Sequence, residues 1–220
     1  MTSTGIEQFQ DLNVWGPAGS VGQMKDVVVS ALSSPWSRDA DAEKQLGSGS
    51  TYQDVLIVRR GRTKDIPAAA LFMFRSDTTW SVGNIVPSEV QSLTKGQYNA
   101  ILSEFCDRFV RPAAPRLGLS VKISADHQSL EDWLPPNAVS ALRSFSTAAN
   151  KSTGSSHPLD QRRWYAFLTL AHGHTKDFDA SRLMQWLVQI EHWPEDVASD
   201  LASEYEFGLG LLDYLDHHNA

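Results

Sequence analysis

A polar segment in the last third of the chain gathers the side chains best suited to chemistry. Residues 150–158 hold one lysine, four hydroxyl groups and one histidine just before a predicted helix: Lys151, Ser152, Thr153, Ser155, Ser156 and His157. A serine near a histidine can supply a nucleophile and its base. Hydroxyls and backbone amides before a helix can also bind a phosphate. Because the same residue types are ordinary in linkers, the segment is predicted to be a connector, and also the place where any ligand site would lie.

A second group of residues, in the C-terminal part, is suited to binding another protein. Carboxylates and aromatic rings alternate there, and the predicted partner-binding residues are Trp186, Trp193, Glu204, Tyr205, Glu206 and Tyr214. Paired carboxylates can serve acid–base catalysis, but without a partner group they are more typical of a solvated helix face. Exposed aromatic rings among them are typical of protein interfaces.

Residues that could bind a metal are few and do not have the spacing of a metal site. His172 and His174 are followed by Asp177 and Asp179, a spacing that matches no standard zinc or iron arrangement. The single cysteine, Cys106, lies in an apolar helical pattern, which predicts a buried thiol and excludes an internal disulfide framework. We expect neither a metal nor a cofactor.

The elements that must position these groups change in character near residue 150. Before that point, β-branched runs predict a mainly antiparallel sheet of about four strands flanked by helices, an α+β fold. The predicted strands cover residues 54–60, 68–75, 80–86 and 119–124. After it, three helices are predicted to begin near Asp160, Asp179 and Pro194. We therefore expect an α+β sandwich domain over residues 1–149, a polar connector over 150–158, and an acidic three-helix subdomain over 159–220.

The order helix, three strands, helix, strand, helix over roughly residues 10–150 is similar to the core of a GNAT acetyltransferase. The resemblance implies that acetyl-CoA would bind between the strand ending at Val86 and the helix beginning at Thr94. It also implies that Glu89 or Tyr98 would lie near the reacting groups. Residues 86–96 lack the paired glycines and the basic residue with which such enzymes hold the coenzyme pyrophosphate.

Charge also separates the two parts of the chain. From residue 151 onward, 5 Lys and Arg face 11 Asp and Glu, whereas the first 150 residues carry 14 basic and 15 acidic side chains. An acidic surface repels phosphate, which disfavours nucleic-acid binding through the C-terminal part. The chain start has no signal-peptide pattern, and no apolar run approaches the roughly 20 residues of a membrane span. We expect a soluble, cytoplasmic protein that does not bind a membrane.

These observations favour a non-enzymatic interaction protein that docks a protein partner, or a second copy of itself, through its acidic helical subdomain. Bacterial regulators and antitoxin-like or immunity-type proteins fit that description as classes. Two alternatives remain open: an acyltransferase of GNAT-like fold, and a phosphate or nucleotide sensor that uses residues 150–158.

Overall fold

The computed structural model describes residues 5–47, 52–89, 92–174 and 178–218. Its strands are β1 (Ile6–Glu7), β2 (Leu12–Trp15), β3 (Trp36–Arg38), β4 (Asp54–Arg60), β5 (Ala69–Arg75), β6 (Thr79–Pro87), β7 (Ser120–Ile123) and β8 (His127–Gln128). Its helices are α1 (Ala18–Ala31), α2 (Ala40–Gly47), α3 (Lys95–Phe105), α4 (Arg111–Leu117), α5 (Pro136–Ala148), α6 (Pro158–Ala171), α7 (Ala180–Gln189) and α8 (Glu195–His218). A π-helical turn, Cys106–Val110, joins α3 to α4. None of the described helices is long and apolar enough to cross a membrane.

The chain divides into two compact units, and the division does not fall at the predicted connector. One unit is Glu7–Asp126, and the other is the chain from His127 onward together with the residues up to Ile6. Helix α5 belongs to the second unit because it packs extensively against α6. Residues 150–158 are therefore a turn inside the second unit, between two helices that share one core.

The predicted α+β fold with an antiparallel sheet is confirmed. Within the described residues, the first unit holds a six-stranded sheet in the order β3-β4-β5-β6-β2-β7, and each neighbouring pair is antiparallel. The first three predicted strands correspond to β4, β5 and β6, which pair as an antiparallel meander. Strands β2 and β3 were not predicted, because four and three residues are too few to show a clear alternation. β1 and β8 pair as a separate two-stranded sheet.

Local sequence signals explain the helices of the first unit. α1 buries Val21, Met24 and Val28, whose spacing places them on one face. α3 begins after Thr94 with a capping box, in which the Thr94 hydroxyl accepts from the Gln97 N–H and the Gln97 side chain accepts from the Thr94 N–H. Cys106 is fully buried, as predicted.

An ion-pair network around the buried Glu43 joins α1, β3, α2 and β4. The Lys25 ammonium lies 2.9 Å from the Glu43 carboxylate and 2.8 Å from Asp54, and Arg38 lies 2.7 Å from Glu43. Burial raises the pKa of Glu43, but hydrogen bonds from Arg38, Lys25 and the Ile57 N–H outweigh it and hold that pKa below its ordinary value. The charges of this network satisfy one another, so it is structural.

The second unit is a helical body built on aromatic side chains. In its core, the Phe145 ring contacts the rings of both Trp164 and Trp193. The Trp193 indole N–H donates to the Ser146 hydroxyl at 2.7 Å. This core fixes the positions of α6 and α8, whose outer faces form the candidate site.

Candidate functional site

Most polar side chains of residues 150–158 bind neighbouring protein groups: they stabilise a turn or cap helix α6. The Lys151 ammonium donates to the Glu191 carbonyl and lies over the Trp193 ring. The Ser152 hydroxyl donates to the Asn150 side chain at 2.8 Å, and the Ser156 hydroxyl donates to the Thr153 carbonyl at 2.6 Å. The His157 ring accepts from the Leu159 N–H at 3.3 Å and so caps α6. The predicted cap, Asp160, instead lies inside the first turn of α6.

Three of the six predicted partner-binding residues lie in the core. Trp186, Trp193 and Tyr205 are 1%, 3% and 1% exposed, so they cannot form a docking surface. They fill the inner faces of their helices, and the Tyr205 hydroxyl donates to the Phe178 carbonyl at 2.7 Å. Burial raises the pKa of the Tyr205 phenol well above its ordinary range. The other three, Glu204, Glu206 and Tyr214, are exposed.

An apolar groove lies between α6 and α8. Its volume is about 380 Å³, and we call it the α6–α8 groove. It is lined chiefly by Trp164, Tyr165, Leu168, Phe207, Gly208 and Leu211. Phe207 is 76% exposed, Tyr165 54% and Leu211 50%. Gly208 lets the two helices approach closely, because a Cβ there would lie 2.8 Å from the Leu168 Cδ1. The groove is therefore a preformed apolar concavity with large apolar side chains open to solvent.

The large exposed apolar residues of α8 form one continuous stripe. Phe207, Leu211, Tyr214 and Leu215 are all exposed and recur at offsets of four, seven and eight residues, which places them on one helix face. Asp200 and Glu204 extend the same face toward the N-terminus of α8. The predicted partner-binding set includes Glu204 and Tyr214 from this stripe, and Phe207 is one of the aromatic residues that the sequence places among the carboxylates of this helix.

One polar atom among the residues that line the groove lacks a partner. The indole nitrogen of Trp164 is buried, and within the described residues its N–H has no hydrogen-bond acceptor. A buried donor left unpaired costs about 1–3 kcal/mol. Trp164 also lines the groove.

An acidic cavity of about 340 Å³ adjoins the groove. It is lined by the turn of residues 152–156 and by α8 residues Val197, Asp200, Leu201 and Glu204. The Ser155 hydroxyl donates to the Glu204 carboxylate at 2.7 Å, and these two residues line both the groove and the cavity. The predicted phosphate-binding hydroxyls therefore share their cavity with two carboxylates, which repel an anion.

His172 joins two helices. The His172 Nε2 lies 2.8 Å from an Asp213 oxygen, which ties the end of α6 to α8. Asp179 caps α7 by accepting from the Arg182 N–H at 2.8 Å, and Asp177 lies outside the described residues. Over the part of the chain that the structure describes, no group of three or more His, Cys, Asp or Glu could hold a metal ion.

The residues implied by the acetyltransferase resemblance have structural contacts. The Glu89 carboxylate pairs with Arg62. The Tyr98 ring lies edge-on to Phe9 with centroids 5.0 Å apart, and burial raises the pKa of its phenol. Residues 90 and 91 of the implied coenzyme loop lie outside the described residues.

Compared with known proteins, the chain matches no family model, no curated protein and no solved structure. Its function must therefore be inferred from the α6–α8 groove itself.

Proposed function

We propose that this protein is a non-enzymatic interaction module that binds a protein partner through the α6–α8 groove. The observation that carries the proposal is the exposure of Phe207, Leu211 and Tyr165 around one apolar concavity. Scattered apolar side chains are normal on protein surfaces, whereas a contiguous patch around a groove is typical of a binding surface. The length and spacing of the α8 stripe fit a docked amphipathic helix.

Charge complementarity favours one kind of occupant, a basic amphipathic segment of another protein. α8 carries seven Asp and Glu and no Lys or Arg between residues 195 and 218. A second copy of this chain would bring the same carboxylates against them, and like charges across an interface are repulsive. A partner with Lys or Arg beside its apolar face would gain from both the apolar burial and the attraction.

A synthetic probe tests the groove directly. The probe is an 18-residue, fluorescein-labelled helical peptide with Leu on one face and Lys on the other, and its binding is measured by fluorescence anisotropy. Burying a large apolar side chain contributes about 1.5–3 kcal/mol. Phe207→Ser and Leu211→Ser should therefore each weaken binding by about 10–100-fold. The matched control is Phe9→Ser, because Phe9 is 51% exposed and lies in the other unit. Equal binding by all three variants would refute a role for the groove.

The natural partner can be identified by photo-crosslinking in host cells. A photoreactive residue at position 207 should crosslink to a basic, amphipathic segment of another protein, and one at position 9 should not. Sedimentation of the purified protein tests the alternative occupant. If the native protein is a dimer that Phe207→Ser dissociates, and if crosslinks form only between copies of this chain, then the groove binds a second copy and not the proposed partner.

A further inference from the structure

The acidic cavity is a polar site whose charge is not balanced. Asp200 and Glu204 stand one helical turn apart on α8, and among the described residues neither has a Lys or Arg partner. Lys151, which immediately precedes the turn that lines the cavity, donates to the Glu191 carbonyl and lies over the Trp193 ring. Two like charges four residues apart on a helix repel each other by a few tenths of a kcal/mol, so a bound cation would relieve a repulsion present in the free protein.

The walls of the cavity supply further hydrogen-bond acceptors. The hydroxyls of Ser152, Thr153 and Ser156 belong to the turn that forms one side. The turn is held against α8 at Gly154, which has a positive φ of 60° and whose added Cβ would lie 3.3 Å from Val197. The Ser155 hydroxyl holds one Glu204 oxygen in place at 2.7 Å. An ammonium or guanidinium group donates to oxygens of this kind.

The cavity adjoins the groove. Ser155 and Glu204 line both concavities. The unpaired indole N–H belongs to Trp164, which is fully buried and lines the groove beside them. The groove and the cavity therefore form one composite surface, with an apolar end at Phe207 and Leu211 and an anionic end at Asp200 and Glu204.

We infer that the acidic cavity is a subsite for the cationic side chain, Lys or Arg, of the segment that docks in the α6–α8 groove. The inference rests on the proposed function and names the partner chemistry that it requires. Asp200 and Glu204 each precede an apolar groove residue, Phe207 or Leu211, by seven positions, or about 10 Å at 1.5 Å per helical residue. A docked helix parallel or antiparallel to α8 presents its cation at the same separation, so the basic residue lies about seven positions from the apolar anchor.

A peptide series tests the subsite. The series keeps the Leu face of the helical probe, replaces its cations by Gln, and moves a single Lys along the polar face. The peptide whose Lys lies about seven positions from the central Leu should bind the native protein about fivefold more tightly than the all-Gln peptide. Asp200→Asn and Glu204→Gln should each remove most of that gain, and acetylation of the Lys should remove it in the native protein.

The matched control is Glu206→Gln, which removes the same charge from the same helix on another face. It should keep the gain within a factor of about two, because its carboxylate does not line the cavity. A gain that is independent of Lys position, or that Glu206→Gln removes as fully as Glu204→Gln, would overturn the subsite and leave the groove proposal standing. If no peptide of the series binds the native protein, both proposals fail.

Discussion

The close approach of α6 and α8 gives a prediction that two glycines of the same helix can test. Gly208 and Gly210 both lie inside α8. Replacing either with Ala should stabilise the helix by about 0.8–1 kcal/mol through backbone propensity alone. The two positions differ in their surroundings, because a Cβ at 208 would lie 2.8 Å from the Leu168 Cδ1, whereas a Cβ at 210 would meet nothing within 4 Å.

The magnitude follows from how far Leu168 can move. Leu168 is only 6% exposed, so its methyl group must shift within packed surroundings. Overpacking of this kind costs about 1–3 kcal/mol, and the lower half of that range applies because the contact is with the end of a side chain. Gly210→Ala should therefore stabilise the second unit by about 1 kcal/mol. Gly208→Ala should leave its stability unchanged or lower it by about 1 kcal/mol.

The free energies of unfolding are measured in urea. Hydrogen exchange of α6 and α8 amides assigns the effect to the second unit, because two units need not unfold together. In a Leu168→Ala background, Gly208→Ala should increase the free energy of unfolding, because the side chain that its Cβ would contact has been shortened. Leu168→Ala should show no such coupling with Gly210→Ala. If Gly208→Ala and Gly210→Ala stabilise the protein equally, the helices do not approach closely at Gly208 and the shape of the groove is wrong.

Three further predictions concern buried polar groups. Glu43→Gln should lower the stability of the first unit by about 1–3 kcal/mol at pH 7, because it removes the carboxylate that Arg38 and Lys25 share, while Lys25 keeps Asp54 and Arg38 is partly exposed to solvent. Since the pKa of Glu43 is held below its ordinary value of 4.5, its contribution is present above that pH and is lost as the pH falls through the lower folded value; a difference between variant and native protein that is constant down to pH 2 in urea titrations would contradict this. Tyr205→Phe should cost about 1–2 kcal/mol in urea unfolding, because the Phe178 carbonyl loses its donor. Because burial raises the pKa of Tyr205, its contribution is full below about pH 10 and is lost as the pH rises further; a phenolate absorbance from all five tyrosines before alkaline unfolding would argue against it. Burial also raises the pKa of the Cys106 thiol, so iodoacetamide should modify it, by mass spectrometry, only at the rate of unfolding, and rapid modification of the native protein would exclude the buried position.

Local signals along the chain predicted the elements that depend on near neighbours. The meander of β4, β5 and β6 follows from alternating β-branched runs. The start of α3 follows from the pairing of Thr94 with Gln97, and the start of α7 from the Asp179 cap. Each of these elements depends on residues that are close together in the chain, so the sequence alone predicts it. The buried position of Cys106 was predicted for the same reason, since its apolar neighbours recur at helical spacing.

The candidate site depended on contacts between distant residues. α8 has two apolar faces: Leu201, Tyr205 and Leu209 are buried, whereas Phe207 and Leu211 on the opposite side are exposed. Periodicity shows that both faces exist, but only the packing of α6 and α7 determines which one is covered. The same packing buried Trp186 and Trp193, which the sequence had suggested for the surface, and left the Trp164 indole N–H without an acceptor. The division of the chain near residue 126 was likewise decided by α5 packing on α6. Sequence fixes which residues share a helix face, but burial depends on which other helix comes to cover that face.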